Sequence, residues 1–211
     1  SHVHEDGALL AGSSAIYQAL RAGVAIAELL GRPQPDWELA GGRLGHAIRR
    51  PPGEFADKST FAMDWYYPVL GGAVRGEEGV ALLDARWDAF VVPGYGVRCV
   101  DTNPWVTGAE SAELVMALDA VGEHDRALRL FAELQHLRDD DGRYATGFVY
   151  DDGVRWPPEH TTFTAGAVVL AADALGARHG RATPGSGIMR GETLAPPFPE
   201  LTPHCCATTA G

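Results

Sequence analysis

One carboxylate in the middle of the chain is followed directly by three aromatic residues. Asp64 precedes Trp65, Tyr66 and Tyr67. Aromatic rings can cover the apolar faces of sugar rings, and paired carboxylates carry out glycoside hydrolysis. The pattern favours a sugar-binding cleft in which Asp64 is the general acid and the three aromatic residues bind substrate. The alternative is that the rings are core packing on a helix and that Asp64 is exposed to solvent.

Two other acids are candidate catalytic residues. Glu159 lies just before the last predicted helix, where it could act as a base that activates water. Glu110 is the fourth residue of a capping box that begins at Thr107, so it either bonds that turn or faces substrate. Asp64 and Glu159 form the predicted pair. A separation of about 6.5–9.5 Å would give the inverting mechanism that we expect, and about 5 Å would indicate a retaining one.

Five further residues are predicted to bind substrate. They lie in two polar and aromatic segments, one before the capping box and one before the last helix: Arg98, Asp101, Trp105, Trp156 and His160. Arginine suits the recognition of hydroxyl or carboxylate groups. The alternatives are an ion pair between Arg98 and Asp101, and a neutral helix cap at His160.

The sequence predicts no metal ion and no other cofactor. The run Asp139 to Asp141 lacks the alternating spacing of a calcium loop and is more typical of a solvated turn. Cys99 has no paired ligand at zinc-binding spacing. The chain also lacks a phosphate loop, a dinucleotide fingerprint and a GxSxG motif.

Composition limits the partners and the compartment. The 211 residues carry a net charge of −11, which argues against nucleic acid and against an anionic membrane surface. Three cysteines, two of them adjacent at Cys205 and Cys206, do not make a disulfide framework, so we expect a cytoplasmic protein. No apolar stretch approaches the roughly 18 residues of a membrane span.

Apolar periodicity and capping signals predict an all-α domain over residues 1–177 and an irregular tail over residues 178–211. Short loops would join the helices as antiparallel αα-hairpins. Val91 to Val97 is expected to be extended with turns, and Asp151-Asp152-Gly153 to be the turn of a short hairpin. Seven helices are predicted, at about residues 13–30, 36–50, 59–68, 76–90, 107–122, 123–138 and 161–175.

Four segments resemble one family of actinobacterial proteins, often labelled "prenyltransferase". They are MDWYYPVLGG, RWDAFVVPGYGVRCV, PWVTGAESAELVMALDAVGEHDRAL and WPPEHTTFTAGAVVLAADAL. The family looks like (α/α)6 toroids of the six-hairpin glycosidase type. The resemblance covers about residues 10–191 and implies a glycoside hydrolase. Mycobacterial relatives linked to methylmannose polysaccharide turnover suggest an α-mannoside as the carbohydrate substrate.

The resemblance also implies a longer protein. A full toroid has twelve helices, so these seven would form its C-terminal part and associate with an N-terminal remainder or with a second copy. Two other functions stay open. A terpenoid cyclase or prenyltransferase would need a DxDD motif or a zinc set, neither of which this sequence contains, and a non-catalytic sugar-binding toroid would need no acid pair.

Overall fold

The computed structural model describes residues 7–50 and 55–176. The predicted tail, residues 178–211, lies outside the described residues. Within them are eight α-helices, a short 3-10 helix at Leu134–Leu137 and five strands. The α-helices are α1 (Leu10–Leu29), α2 (Pro35–Ile48), α3 (Ala62–Leu70), α4 (Gly76–Ala85), α5 (Trp87–Phe90), α6 (Gly108–Ala120), α7 (His124–Glu133) and α8 (Thr162–Gly176). The strands are β1 (Val91–Val92), β2 (Gly96–Arg98), β3 (Trp105–Thr107), β4 (Gly147–Val149) and β5 (Val154–Arg155).

Helix α6 is the centre of the main core. Eleven of its thirteen residues are buried, among them Leu114, Val115 and Leu118. It packs against α3, α7, α8 and the sheet. A helix that is apolar on nearly every side is stable only when other elements surround it. The predicted ends of this helix are confirmed, since Thr107 accepts a hydrogen bond from the Glu110 backbone and Gly122 has a positive φ of 92°.

Helix α1 packs against α2 and α3 through close backbone approaches. A Cβ added at Gly45 of α2 would lie 2.6 Å from the Tyr17 ring, and one at Gly71, just after α3, would lie 2.5 Å from the Ser14 carbonyl oxygen. Glycine is therefore required at both positions for the helices to come this close. These contacts fix α1 beside α3 and form one side of the cavity described below.

The expectation of an all-α fold is wrong, because the five strands form an antiparallel sheet in the order β1-β2-β3-β4-β5. Val97 pairs with both Val91 and Thr107, and Thr107 also pairs with Gly147. The strands contain only two or three residues each, too few to display the alternation that identifies a strand. The expected hairpin around Asp151–Gly153 is present as β4 and β5, and the extended Val91–Val97 segment as β1 and β2.

The helix boundaries differ from the prediction in several places, and the helix expected over residues 59–68 begins at Ala62 and continues through Pro68 to Leu70. The helix expected over residues 76–90 is divided at Arg86, whose φ of −130° is not helical. The helix expected over 123–138 becomes a 3-10 helix after Glu133. Helix α1 begins at Leu10, before the predicted serine caps. None of the helices in the described residues has the length and apolar character needed to cross a membrane.

Candidate active site

A cavity of about 410 Å³ opens between α1, α3, α6 and α8. Small and apolar side chains form most of its wall, while a carboxyl group, a phenol, an amide and a threonine hydroxyl supply the polar atoms. Apolar cavities with a few placed polar groups are typical of sites for small ligands. The lining residues are Ala15, Gln18, Tyr67, Leu70, Gly71, Glu113, Met116, Thr162, Phe163, Gly166, Ala167 and Leu170.

Glu113 is the acid of this cavity. Its position in the middle of α6 makes it only 7% exposed. The Tyr66 hydroxyl donates to its Oε2 at 2.5 Å, and the Tyr67 hydroxyl donates to its Oε1 at 3.2 Å. Burial is the main cause that raises the pKa of this carboxyl to about 7, and the two tyrosine hydrogen bonds oppose that rise. The carboxyl can therefore both give and take a proton near neutral pH.

The two tyrosines that hold Glu113 remain protonated donors. Burial and the nearby carboxylate raise the pKa of both the Tyr66 and the Tyr67 hydroxyl above the ordinary value. Their positions follow from α3, whose consecutive residues place Tyr66 in the core and Tyr67 at the cavity wall. Of the three aromatic residues predicted to bind substrate on this helix, Tyr67 lines the cavity.

Sequence reasoning missed Glu113. The predictions favoured acids beside aromatic residues or at helix ends, and Glu113 is neither. The signal that identifies it is a lone carboxyl inside the apolar run from Ala112 to Leu118. In a helix that is buried on nearly every side, such an acid must itself be buried, and a buried acid needs partners or a functional reason.

Asp64 lies three residues before Tyr67 on α3. Its Oδ1 accepts a hydrogen bond of 3.2 Å from the Ala11 backbone N–H, in the first turn of α1. Burial raises the pKa of the Asp64 carboxyl, and the Ala11 hydrogen bond opposes this rise. The group therefore binds the amino-terminal end of α1, one turn before the α1 residues Ala15 and Gln18 that line the cavity.

Glu110 lies one turn before Glu113 on α6. Its carboxylate accepts a hydrogen bond from the Thr107 hydroxyl, and Thr107 in turn accepts from the Glu110 backbone at 3.4 Å. Burial raises the pKa of the Cys99 thiol to about 12, with the adjacent Glu110 adding to the effect. Glu110 thus makes the helix-capping contact with Thr107, which is one of the two roles predicted for it from the sequence.

Glu159 and His160 lie on the segment that leads into α8. Both are exposed. The Glu159 carbonyl accepts from the Thr146 backbone at 3.2 Å, which ties this segment to the residue just before β4. His160 Nε2 lies 2.6 Å from an Asp139 oxygen, and Asp139 also pairs with Arg155. Asp139 is therefore an anchor for this segment.

Arg98 and Asp101 do not pair with each other. The Arg98 guanidinium donates to the Tyr150 hydroxyl at 2.9 Å and to the Ala89 carbonyl at 2.8 Å. Asp101 instead accepts from Arg86 at 2.9 Å. Both predicted binding residues are half-buried and already engaged within the fold.

The predicted tryptophans occupy two different environments. Trp65 is 4% exposed, stacks on Phe90 at 5.2 Å between ring centroids and donates to the Leu82 carbonyl. Trp105 and Trp156 lie together on the sheet, where the Trp105 Nε1 donates to the Trp156 carbonyl at 2.8 Å. Among the described residues no group of three His, Cys, Asp or Glu side chains could hold a metal ion.

Comparison with known proteins adds one strong similarity. No protein-family model matches the chain. It is 54% identical over 202 residues to a protein of Mycolicibacterium hassiacum described as an MMP endo-(1,4)-3-O-methyl-alpha-D-mannosidase. The alignment covers 96% of this chain and 55% of that protein. The similarity supports the expected relation to mycobacterial methylmannose hydrolases, and the chain spans about half the length of the curated relative that it matches.

Proposed function

We propose that this chain carries the proton-donating part of a glycoside hydrolase that cuts within an α-(1,4)-linked 3-O-methylmannose polysaccharide. The observation that carries the proposal is Glu113, a buried carboxyl whose pKa is raised to about 7 beside a cavity of about 410 Å³. The similarity to the mannosidase supplies the substrate class. A pKa near the working pH is what general acid catalysis requires.

Glu113 is the general acid in this proposal. Its protonated carboxyl gives a proton to the glycosidic oxygen while the bond from that oxygen to the anomeric carbon breaks. The negative charge left on the carboxylate is then stabilised by the hydroxyl groups of Tyr66 and Tyr67. Both donors are in place before the reaction, so little reorganisation is needed when the charge develops.

The apolar wall of the cavity suits a methylated sugar. Leu70, Met116, Phe163 and Leu170 offer no hydrogen-bonding group to a ligand. A free sugar hydroxyl buried against such a wall loses its water without compensation, which costs about 1–3 kcal/mol. A methyl ether at the same position has no donor to satisfy and instead buries apolar surface. The cavity should therefore favour the methylated polymer over unmodified mannan.

An inverting reaction also needs a second carboxylate that activates water. Among the described cavity-lining residues, Glu113 is the sole acid. Asp64 precedes Tyr67 by one turn of α3, and Glu159 precedes Thr162 by three residues, so both lie close along the chain to the cavity wall. We propose Asp64 as the base that activates water in an inverting reaction, and Glu159 is the other candidate for that base. Glu110 keeps its capping contact with Thr107.

Hydrolysis of 3-O-methylmannan by variant proteins tests the proposal. Glu113→Gln should lower kcat by about 10²–10⁴-fold, because general acid catalysis contributes that much. A synthetic mannoside with an activated phenolate leaving group needs no protonation, so the same variant should retain most of its activity on it. Glu28→Gln, at an exposed position of α1, is the matched control.

Two outcomes would contradict the proposal. Glu113→Gln could cleave the polymer at the unchanged rate, or it could lose activity equally on both substrates. Asp64→Asn should lower kcat on both substrates, because a base that activates water is needed whatever the leaving group. If Asp64→Asn is fully active and Glu159→Gln is not, Glu159 is the base.

A further inference from the structure

A second aromatic surface lies outside the cavity, at the β5 end of the sheet. Trp156 follows β5 directly and is 55% exposed. Its ring meets that of Trp105 edge to face, with centroids 5.5 Å apart and an interplanar angle of 72°. The partly buried Trp105 supports it from below and also donates its indole N–H to the Trp156 carbonyl.

The exposure of Trp156 does not come from a loose backbone. Its N–H donates to the Gly147 carbonyl at 3.0 Å, so the residue continues the contact between the β4 and β5 strands. Three residues later, Glu159 accepts from the Thr146 backbone and hydroxyl at 3.2 and 3.3 Å. The Trp156 ring and the Trp105 ring beneath it therefore form one aromatic surface whose backbone is held by hydrogen bonds.

The same segment connects this ring to the cavity. Phe163, seven residues after Trp156, is 59% exposed and lines the cavity. Seven residues span at most about 25 Å. Between the two rings lies the exposed Glu159, whose carboxylate can accept hydrogen bonds from hydroxyl groups, followed by His160, whose Nε2 is held by Asp139. Aromatic rings that can cover the C–H faces of sugars and polar groups that can bind their hydroxyls thus lie along one segment.

We propose that Trp156, supported by Trp105, is an outer subsite that binds a polysaccharide chain extending out of the Glu113 cavity. The ligand class is a linear, partly methylated α-mannan, whose C–H and O-methyl faces would stack on the indole ring. The assignment rests on the proposed function for the ligand but not on catalysis, because binding alone reveals it. A protein that cuts inside a polymer must hold sugars beyond those at the broken bond.

The test is binding of two probes to the full chain and its variants by calorimetry. One probe is a long 3-O-methylmannan oligosaccharide, and the other is the corresponding disaccharide, which is too short to occupy both places. Trp156→Ala should weaken binding of the long probe about five- to tenfold and thereby lower the ratio of long-probe to disaccharide affinity. Trp156→Phe should restore most of the ratio. Val154→Ala, at a 52% exposed apolar position of β5, is the matched control.

Each result supports or overturns the subsite. Unchanged affinity of Trp156→Ala for the long probe overturns it, as does an equal loss for both probes or no binding to the unmodified chain. Binding that depends on Trp156 in a protein that hydrolyses nothing keeps the subsite and refutes the proposed function. Hydrolysis that depends on Glu113, with long-probe affinity independent of Trp156, refutes the subsite alone.

Discussion

Replacing Glu113 with glutamine should remove a specific part of the pH dependence of stability. Glutamine keeps the size of the side chain and can exchange hydrogen bonds with Tyr66 and Tyr67, but it does not ionise. In the folded protein the pKa of Glu113 is about 7, against an ordinary value of 4.5. Because the folded-state pKa is the higher one, the protonated carboxyl favours folding. This contribution is complete below pH 4.5 and is lost as the pH rises through 7.

The size of the effect follows from the shift. One pKa unit corresponds to about 1.4 kcal/mol, so the full shift is worth about 3 kcal/mol, of which about 2–3 kcal/mol falls between pH 5 and pH 8. For a chain of this size, that is about 5–10 °C in melting temperature. Glu113 is 7% exposed, so solvent screens this effect little.

Urea unfolding at pH 5 and pH 8 measures the effect. The free energy of unfolding of the unmodified protein should fall by about 2–3 kcal/mol more than that of Glu113→Gln over this interval. Glu28→Gln, which removes an exposed carboxylate from α1, should follow the unmodified protein. Parallel pH dependences of the unmodified protein and Glu113→Gln would refute the conclusion that the Glu113 carboxyl is protonated near neutral pH.

Three other variants test the contacts around the cavity. Tyr66→Phe removes the 2.5 Å hydrogen bond that stabilises the ionised Glu113, so the basic limb of the kcat profile should move up by about one pH unit; a limb that stays in place would contradict this. Gly71→Ala places a Cβ 2.5 Å from the Ser14 carbonyl oxygen and should lower the free energy of unfolding in urea by about 1–3 kcal/mol. A Cβ added at Gly166 in α8 meets open space, so Gly166→Ala should raise that free energy by up to about 1 kcal/mol. Equal effects of the two alanine variants would show that helices α1 and α3 are not closely packed.

Local signals in the sequence predicted local structure well. Thr107 and Gly122 mark the ends of α6, and the Asp151-Asp152-Gly153 turn joins β4 to β5. Each depends on residues within a few positions of one another, where capping and turn chemistry decide the backbone. Arg86 shows the limit, because its non-helical backbone divides the helix expected over residues 76–90 although apolar residues recur in helical register on both sides.

Non-local pairing was not accessible from the sequence. Strand β3 pairs with β4 across about forty residues, and three-residue strands carry almost no pattern of their own. The ion pair of Asp101 is with Arg86, fifteen residues away, and not with its near neighbour Arg98. The site follows the same rule, since the partners of Glu113 come from α3, 46 and 47 residues earlier.

The path of the chain between β3 and β4 ties the sheet to the helices. Helices α6 and α7 and the 3-10 helix lie between these paired strands, and Gly108 at the start of α6 donates to Thr146 just before β4 at 3.0 Å. The two strands can therefore pair only when the two ends of this connecting segment come together. Bringing them together costs chain entropy, which the pairing must offset. Glu113 lies on α6 five residues after Gly108. The β3–β4 pairing and the burial of the Glu113 carboxyl should consequently form together in one cooperative folding step.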